Sequence, residues 1–329
     1  MAHLKTIPVF DLNDFAKNKK KFTQEFGEAF HKYGFVRLKN HGIPEGALKE
    51  AEDVITRFFQ LDEKAKKQYE MPEHSYQVGF IKNKEIANNA KAADLKEYFM
   101  VCRDARRGAD KNTPETPDIA EVPEFRKKTY DLYYEFNTLI SRILRPLALH
   151  IGEEESFFEN IADKGHNMMR MIHYPSGGNA ASHTDMSLLT LLRAEKAGLY
   201  VTTRDGEELE VVAEPGELIL NGGKALAALT GNYFKPSYHR VNVKSKDPRQ
   251  TIVYFAHLNN DYKLDTVAKL KNYDGGLEDE GWFKNLKEFP IRYKDYTQAR
   301  LKHNFSATAR ANDNKEKSAR NGKKPKFSK

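Results

Sequence analysis

Three residues of this 329-residue chain have the types and spacing to hold a divalent iron: His183, Asp185 and His239. In His183-Thr184-Asp185 the two ligand types stand at i and i+2, which in a strand share one face while Thr184 turns aside. His239 comes after 53 intervening residues, in Ser-Tyr-His-Arg-Val-Asn-Val, room for several strands that return to the same end of a sandwich. Two imidazoles and one carboxylate on one side of an iron leave the opposite side open, an arrangement suited to dioxygen chemistry at non-haem Fe(II). Ten residues past His239, Arg249-Gln250-Thr251 opens the apolar run that continues to Phe255. Arg249 offers a planar fork to a carboxylate, and Thr251 adds a hydroxyl on the same side. A dicarboxylic acid could anchor its far carboxylate there while its 2-oxo acid end chelates the metal. Tyr174, closing Arg170-Met171-Ile172-His173-Tyr174 before Pro175, can donate a third hydrogen bond from its phenol. A lone His-x-Asp also arises by chance, and an arginine after an Asp-Pro turn can be a plain surface residue. The surrounding elements have to decide.

Those elements divide the chain in two. In the first half Ile7 to Leu12 reads as a short strand, and Phe22, Phe26, Ala29, Phe30 and Tyr33 line one face of a helix ended by Gly34. Phe35 to Leu38 alternates as a strand before the turn His41-Gly42-Ile43-Pro44, and a second helix runs from Glu45 to about Phe59. The polar stretch from about Met71 to Asp94 has no clear period and reads as a loop, a candidate cover for the site. From about Glu124 a long helix carries Leu132, Phe136, Leu139, Ile140, Ile143 and Leu147 on one side, with Pro146 as a candidate kink. After Asn167 the texture changes to short apolar runs (169–174, 187–192, 199–202, 209–212, 217–220, 238–243 and 251–256) separated by Gly, Pro and Asp. Many short strands with turn chemistry between them indicate a sandwich or jelly roll. Beyond Leu264 the pattern is mainly helical. The expected architecture is α+β, with helices packed around one central β-sandwich.

Composition sets the class. At 39% hydrophobic the chain can bury a sizeable core. One cysteine, Cys102, excludes an internal disulfide and fits a reducing compartment. The N-terminal residues lack the apolar run of a signal peptide, and no stretch approaches the ~18 apolar residues of a membrane span. The expected setting is cytoplasmic, without membrane contact. The net charge of +7 is concentrated in residues 310–329, where eight basic residues face two acids. That segment reads as a disordered basic tail, and the near-neutral remainder argues against a nucleic-acid partner for the folded core.

Taken in order, the motifs resemble the isopenicillin N synthase-like branch of the 2-oxoglutarate- and Fe(II)-dependent dioxygenases. In the early half the resemblance rests on Ile-Pro-Val-Phe-Asp-Leu, on Phe-Gly-Glu-Ala-Phe-His-Lys-Tyr-Gly-Phe-Val, and on Asn40-His41-Gly42-Ile43-Pro44. Weaker echoes follow at Phe58 to Lys66 and at Asp94-Leu95-Lys96-Glu97. Later it rests on Arg-Met-Ile-His-Tyr-Pro, His-Thr-Asp-Met-Ser-Leu-Leu-Thr-Leu-Leu, Gly198 to Val201, Pro215 to Gly223, His239-Arg240-Val241 and Arg249-Gln250-Thr251. It spans about residues 6 to 300. It implies a double-stranded β-helix core (jelly-roll, cupin-like) flanked by N-terminal and C-terminal helices. The implied layout is a single dioxygenase domain over 1–305, with an N-terminal region at 6–120, a jelly-roll core at 165–265 and the tail at 306–329.

The resemblance also implies roles. His183, Asp185 and His239 fall on the family's iron ligands, Arg249 and Thr251 on its carboxylate clamp, and Tyr174 on the tyrosine that contacts the co-substrate. Phe255 sits where family members place an aromatic wall of the substrate pocket. Fe(II), 2-oxoglutarate and O2 are the implied cofactor and co-substrates, acting on a small-molecule substrate in a monomer or weak oligomer. His41 reads as structural, His173 as core or a support of the site, and His257 has no evident role. Departures occur at Gly223-Lys224, where the family has Gly-Asp, at Thr230-Gly231-Asn232, where it often has Thr-Asn-Gly, and at Ser176 after Tyr-Pro. Lys224 faces either a substrate carboxylate or solvent. The expected reaction oxidises a small substrate, by hydroxylation or else desaturation or cyclisation, and releases succinate and CO2. The alternatives are an isopenicillin N synthase-type oxidase in which Arg-x-Ser/Thr holds the substrate's own carboxylate, a non-catalytic jelly-roll binding protein, and a scaffold recruited through the tail.

Overall fold

The computed structural model describes residues 6–85, 93–104, 114–204, 206–273 and 290–299. β1 (Val9–Asp11) and the short α1 (Asp14–Lys17) lead into α2 (Lys19–Tyr33), whose Phe22, Phe26 and Phe30 form its buried stripe. Gly34 ends that helix in the left-handed region at φ 68°, where it donates its N–H to the Phe30 carbonyl. β2 (Phe35–Lys39), α3 (Glu45–Phe59) and α4 (Glu63–Lys67) follow. The stretch from Met71 to Asp94, expected to be irregular, contains a strand, β3 (Gly79–Lys82), paired antiparallel with β4 (Glu97–Cys102). Gly79, Phe80 and Ile81 are all buried and only Lys82 at its end reaches the surface, so this four-residue strand shows no alternation. α5 (Phe125–His150) continues through the buried Pro146 and is followed by α6 (Phe157–Ala162).

The catalytic half supplies β5 (Met168–Tyr174), β6 (Asn179–His183), β7 (Leu189–Arg193), β8 (Leu199–Thr202), β9 (Glu208–Val211) and β10 (Leu218–Gly222). After a short helix, α7 (Lys224–Leu229), come β11 (His239–Asn242) and β12 (Arg249–Ala256). Beyond Leu264 the expectation of mainly helical structure holds only in part. The described residues there contain a two-stranded pair, β13 (Lys263–Leu264) with β14 (Ile291–Arg292), one 3-10 turn and a helix over 293–299. The tail at 306–329 lies outside the described residues.

Two sheets face each other. The larger has the order β1-β2-β10-β7-β12-β5-β4-β3 and the smaller β6-β11-β8-β9. Strand alternation gives the large sheet two different faces. Val36, Leu38, Leu191, Leu220 and Tyr254 point outward, where α2, α3 and α5 bury them in the main core. Each such side chain contributes roughly 1.5–3 kcal/mol by leaving water. Phe35, Leu192, Ile219 and Val253 point inward against Leu199, Val201 and Val241 of the small sheet. This is the expected jelly roll with helices packed outside it. No helix among the described residues is long and apolar enough to cross a membrane.

Candidate active site

His183 ends β6, His239 begins β11, and the two are direct cross-strand partners with ring centroids 4.4 Å apart. Each Nδ1 faces a backbone carbonyl, Ala181 O at 2.8 Å for His183 and Ser237 O at 3.2 Å for His239. A carbonyl only accepts, so both Nδ1 atoms carry the proton and both Nε2 lone pairs remain free for a metal. Asp185 lies past the end of β6, so the strand pleat inferred from His-x-Asp is not what aims it. Two side chains of the large sheet do so instead. Thr190 Oγ1 and Asn221 Nδ2 donate to Asp185 Oδ2 at 2.7 and 2.9 Å, and the Lys224 N–H holds the Asp185 carbonyl at 2.8 Å. Oδ1 is thereby turned toward His183 Nε2 and His239 Nε2, at 3.9 and 3.8 Å.

The donor set fits iron. One ligand atom from each residue lies within 4.8 Å of the others. Ligands at right angles on bonds of ~2.1 Å stand about 3 Å apart, so closing around an ion needs shifts below about 1 Å. Protonation states fit as well. Burial, and then the neighbouring His239, push the His183 pKa down to about 4, which leaves its imidazole neutral at physiological pH. Burial alone would raise the Asp185 pKa, but His239, His183, Asn221 and Thr190 together hold it below the ordinary carboxylate value.

The three residues expected to clamp the co-substrate share the inner face of the large sheet. Arg249 pairs with Tyr174 across β12 and β5, and its guanidinium carbon stands 5.5 Å from the Tyr174 ring centroid. Arg249 is only 2% exposed, and its Nε donates to Lys196 O at 3.3 Å. Its Nη1 is buried with no partner, and no carboxylate pairs with it among the described residues. A guanidinium left in that condition calls for an anion. The Arg249 Cδ would stand 3.7 Å from a Cβ on Gly198, while His239 pairs with Val201 three residues further on. Three extended residues span roughly 10 Å, the reach of a short dicarboxylate plus a metal bond. Burial raises the Tyr174 pKa, so the phenol stays protonated and able to donate. Thr251 faces inward as expected, but its hydroxyl already donates to Arg193 O at 2.5 Å.

The remaining candidates separate. Phe255 is half-buried beside Arg170, whose guanidinium carbon lies 5.3 Å from its ring centroid. Lys224 is buried as the first residue of α7, which removes the solvent alternative. His41 is structural: its Nδ1 accepts from Ile43 N–H, and its carbonyl accepts from Arg142. His173 leans on Glu97 at 3.0 Å, and His257 on Tyr293 at 2.6 Å. Sequence reasoning missed Thr190 and Asn221 as supports of Asp185. Thr190 sits five residues from Asp185, and the only signal was their place inside the quoted motifs. It also missed a buried charge cluster of Glu85, Asp94, Lys96 and Arg170 beside the site.

Comparison with known proteins agrees with this geometry. Residues 7–123 match the family profile described as the N-terminal region of the non-haem dioxygenase in morphine synthesis. Residues 165–258 match that of the 2OG-Fe(II) oxygenase superfamily. A 1-aminocyclopropane-1-carboxylate oxidase of Dictyostelium mucoroides is 28% identical over 89% of this chain and 93% of its own length. The 2-oxoglutarate-Fe(II) type oxidoreductase hxnY of Emericella nidulans is 28% identical over 78% of this chain and 80% of its own. Among solved structures, a Caulobacter crescentus protein assigned to the 2OG-Fe(II) oxygenase family superposes with a TM-score of 0.77. It is 28% identical, with 90% of this chain and 98% of that one covered. With both regions matched in tandem around the His-x-Asp and distal His ligands, the chain belongs to the 2-oxoglutarate- and Fe(II)-dependent oxygenase superfamily, in its isopenicillin N synthase-like branch.

Proposed function

We propose that His183, Asp185 and His239 hold the Fe(II), that Arg249 anchors the far carboxylate of 2-oxoglutarate with Tyr174 and Thr251 beside it, and that a small organic substrate lies against Phe255. One observation carries this reading. Three ligand atoms of the right chemistry converge within 4.8 Å, on the same inner surface as a buried guanidinium that has no carboxylate partner among the described residues. Bound there, the iron with 2-oxoglutarate and O2 would supply substrate oxidation coupled to decarboxylation of the co-substrate to succinate and CO2.

The protein's own residues bind and orient. Thr190 and Asn221 commit one Asp185 oxygen to hydrogen bonds and leave the other for the metal. The Nδ1-to-carbonyl contacts fix both imidazole tautomers. Arg249 exchanges an unpaired buried charge for an ion pair, and Tyr174 adds a phenol proton. Thr251 serves the incoming carboxylate by turning its hydroxyl proton away from Arg193 O, to which it donates in this structure. Phe35, whose ring meets His239 edge-on at 5.8 Å, and Leu192 help keep water out. Phe255 sets the substrate's pose: hydroxylation is the default outcome, and desaturation or ring closure needs only another pose. Lys224 is the remaining candidate for a substrate contact.

The chain acts as one dioxygenase domain over 1–305 with a basic tail at 306–329, a view supported by a large sheet that draws β1–β4 and β5, β7, β10 and β12 from both halves. The single cysteine, Cys102, is a buried free thiol, in keeping with a reducing, cytoplasmic setting. Only five large apolar residues are exposed among the described residues, in keeping with a monomer or weak oligomer. Fe(II) titration and succinate formation, measured for wild type, H183A and H239A, test the assignment. Wild type binds iron and releases succinate, and each variant loses both; variants that bind iron as tightly as wild type would remove it.

A further inference from the structure

The inner face of the large sheet carries charge that neither the iron ligands nor the co-substrate clamp use. Arg170 on β5 is bidentate with Glu85, just past β3, at 3.0 Å for both contacts. Lys96 bridges Glu85 and Asp94 at 2.9 Å each, so two cations and two anions leave no net charge. The Arg170 guanidinium is held between Tyr98 at 4.2 Å and Phe255 at 5.3 Å. The cluster adjoins the metal site: Asp94 Oδ1 accepts from Ala181 N–H at 2.9 Å, and the Ala181 carbonyl faces His183 Nδ1 at 2.8 Å.

The two ends of the cluster differ in access. The side chains of Lys96 and Asp94 are each 5% exposed, whereas Arg170 is 17%, Glu85 26% and His183 33% exposed. Phe255 is half-buried, while the inner-face neighbours Tyr98, Ile172 and Val253 are closed. Exposure thus rises from the Lys96–Asp94 end of the cluster toward Arg170 and Glu85, and His183 and Phe255 are likewise only part-buried. Arg170 Nε is buried without an acceptor among the described residues.

We propose that the Arg170–Glu85 pair is the specificity element of this oxygenase and selects a small zwitterionic, amino-acid-like substrate. Its carboxylate docks on Arg170 and its ammonium on Glu85. The proposal rests on the iron and co-substrate assignments above. An apolar skeleton covering the pair would strip water from two charges and return nothing. A plain acid would meet Glu85, and a plain amine would meet Arg170 and Lys96. A zwitterion supplies both partners at once, and Tyr98 and Phe255 keep the guanidinium plane fixed for a bidentate carboxylate.

The test uses the full chain loaded with Fe(II) and 2-oxoglutarate. Succinate release is followed with each proteinogenic L-amino acid, with the matching decarboxylated amines and deaminated acids, and with apolar aromatic and terpenoid acids. The 2-oxoglutarate charge-transfer band of the anaerobic wild-type sample reports separately on the catalytic reading. The expected result is stimulation by at least one amino acid but not by its amine or acid analogue. R170M then raises the KM for that amino acid by ~10²-fold. E85Q shifts preference from the amino acid toward the deaminated acid, a change that loss of a structural brace would not produce. A normal band with no amino-acid stimulation, stimulation by the apolar acids alone, or R170M and E85Q variants with unchanged KM and preference would overturn this proposal alone. Absence of the band would overturn the catalytic reading and this proposal with it.

Discussion

Replacing Arg249 by methionine should move ligand binding and stability in opposite directions. Arg249 is 2% exposed, has no carboxylate partner among the described residues, and keeps Nη1 unbonded. Burial lowers its pKa from the ordinary arginine value, and the only opposing influence is Tyr174. In the free protein the charge is therefore a cost, and in the 2-oxoglutarate complex proposed above it would become half of a buried ion pair. Removing one partner of such a pair costs ~2–5 kcal/mol, which converts to a ~30- to ~4000-fold loss of 2-oxoglutarate affinity. Exchanging an uncompensated charge for an apolar side chain of similar length gains ~1–4 kcal/mol, which at ~2–4 °C per kcal/mol raises the melting temperature of the metal-free protein by several degrees. Anaerobic titration of the Fe(II) protein with 2-oxoglutarate reads the first effect, and thermal melts of the apo protein read the second. R249K, which keeps the charge but loses the fork, should fall between wild type and R249M in affinity. An R249M protein that binds 2-oxoglutarate within about threefold of wild type, or whose apo form melts several degrees lower, would refute the reasoning, because either result makes Arg249 a structural brace.

The supports of Asp185 are open to the same treatment. T190V combined with N221A frees Oδ2 and should weaken Fe(II) binding ~10- to ~100-fold with the three ligands intact, and unchanged metal affinity would show that the carboxylate is aimed by something else. In G223A the new Cβ would stand 2.0 Å from the Ser187 carbonyl oxygen, at the turn whose next N–H holds Asp185. It should cost ~1–3 kcal/mol and loosen the metal, and a variant that melts and binds iron like wild type would contradict that close approach. His257 is buried with its pKa pushed down to about 3, by burial and then by His166. Its folded pKa lies below the ~6.5 of a free imidazole, so the unfolded chain takes up the proton first. Stability should fall by up to ~1.4 kcal/mol per pH unit as the pH drops from about 6.5 toward 3. His183 adds to the slope of the metal-free protein down to about pH 4. Urea melts of apo wild type and H257Q at several pH values check this; equal slopes for the two proteins would exclude His257 as a source.

Local spacing carried much of this protein. The four-residue repeat of Phe22, Phe26 and Phe30 and the stripe from Leu132 to Leu147 announced α2 and α5, because a helix buries one face with a period close to four. Turn residues bracketed most of the short strands from β5 to β12. β3 was hidden because a strand covered on both faces has no alternation to read, and the segment beyond Leu264 misled because β13 and β14 are two residues each.

The amino-acid sequence by itself determined the ligand types, their order and the arginine that follows them, and with the motifs around them these pointed to Fe(II) and 2-oxoglutarate. Tertiary structure alone decided what aims them. Thr190 and Asn221 reach Asp185 from neighbouring strands of the large sheet, and Asp94 reaches Ala181 from 87 residues away. The match of His183 with His239 is a cross-strand register. Such contacts are set by which strands lie side by side and how they are registered, and residue spacing along one chain does not encode either. The Arg170–Glu85 pair belongs to the same class. As isolated residues they were an ordinary strand arginine and a loop glutamate, and only the closing of β3 and β4 against β5 set them side by side near the iron ligands.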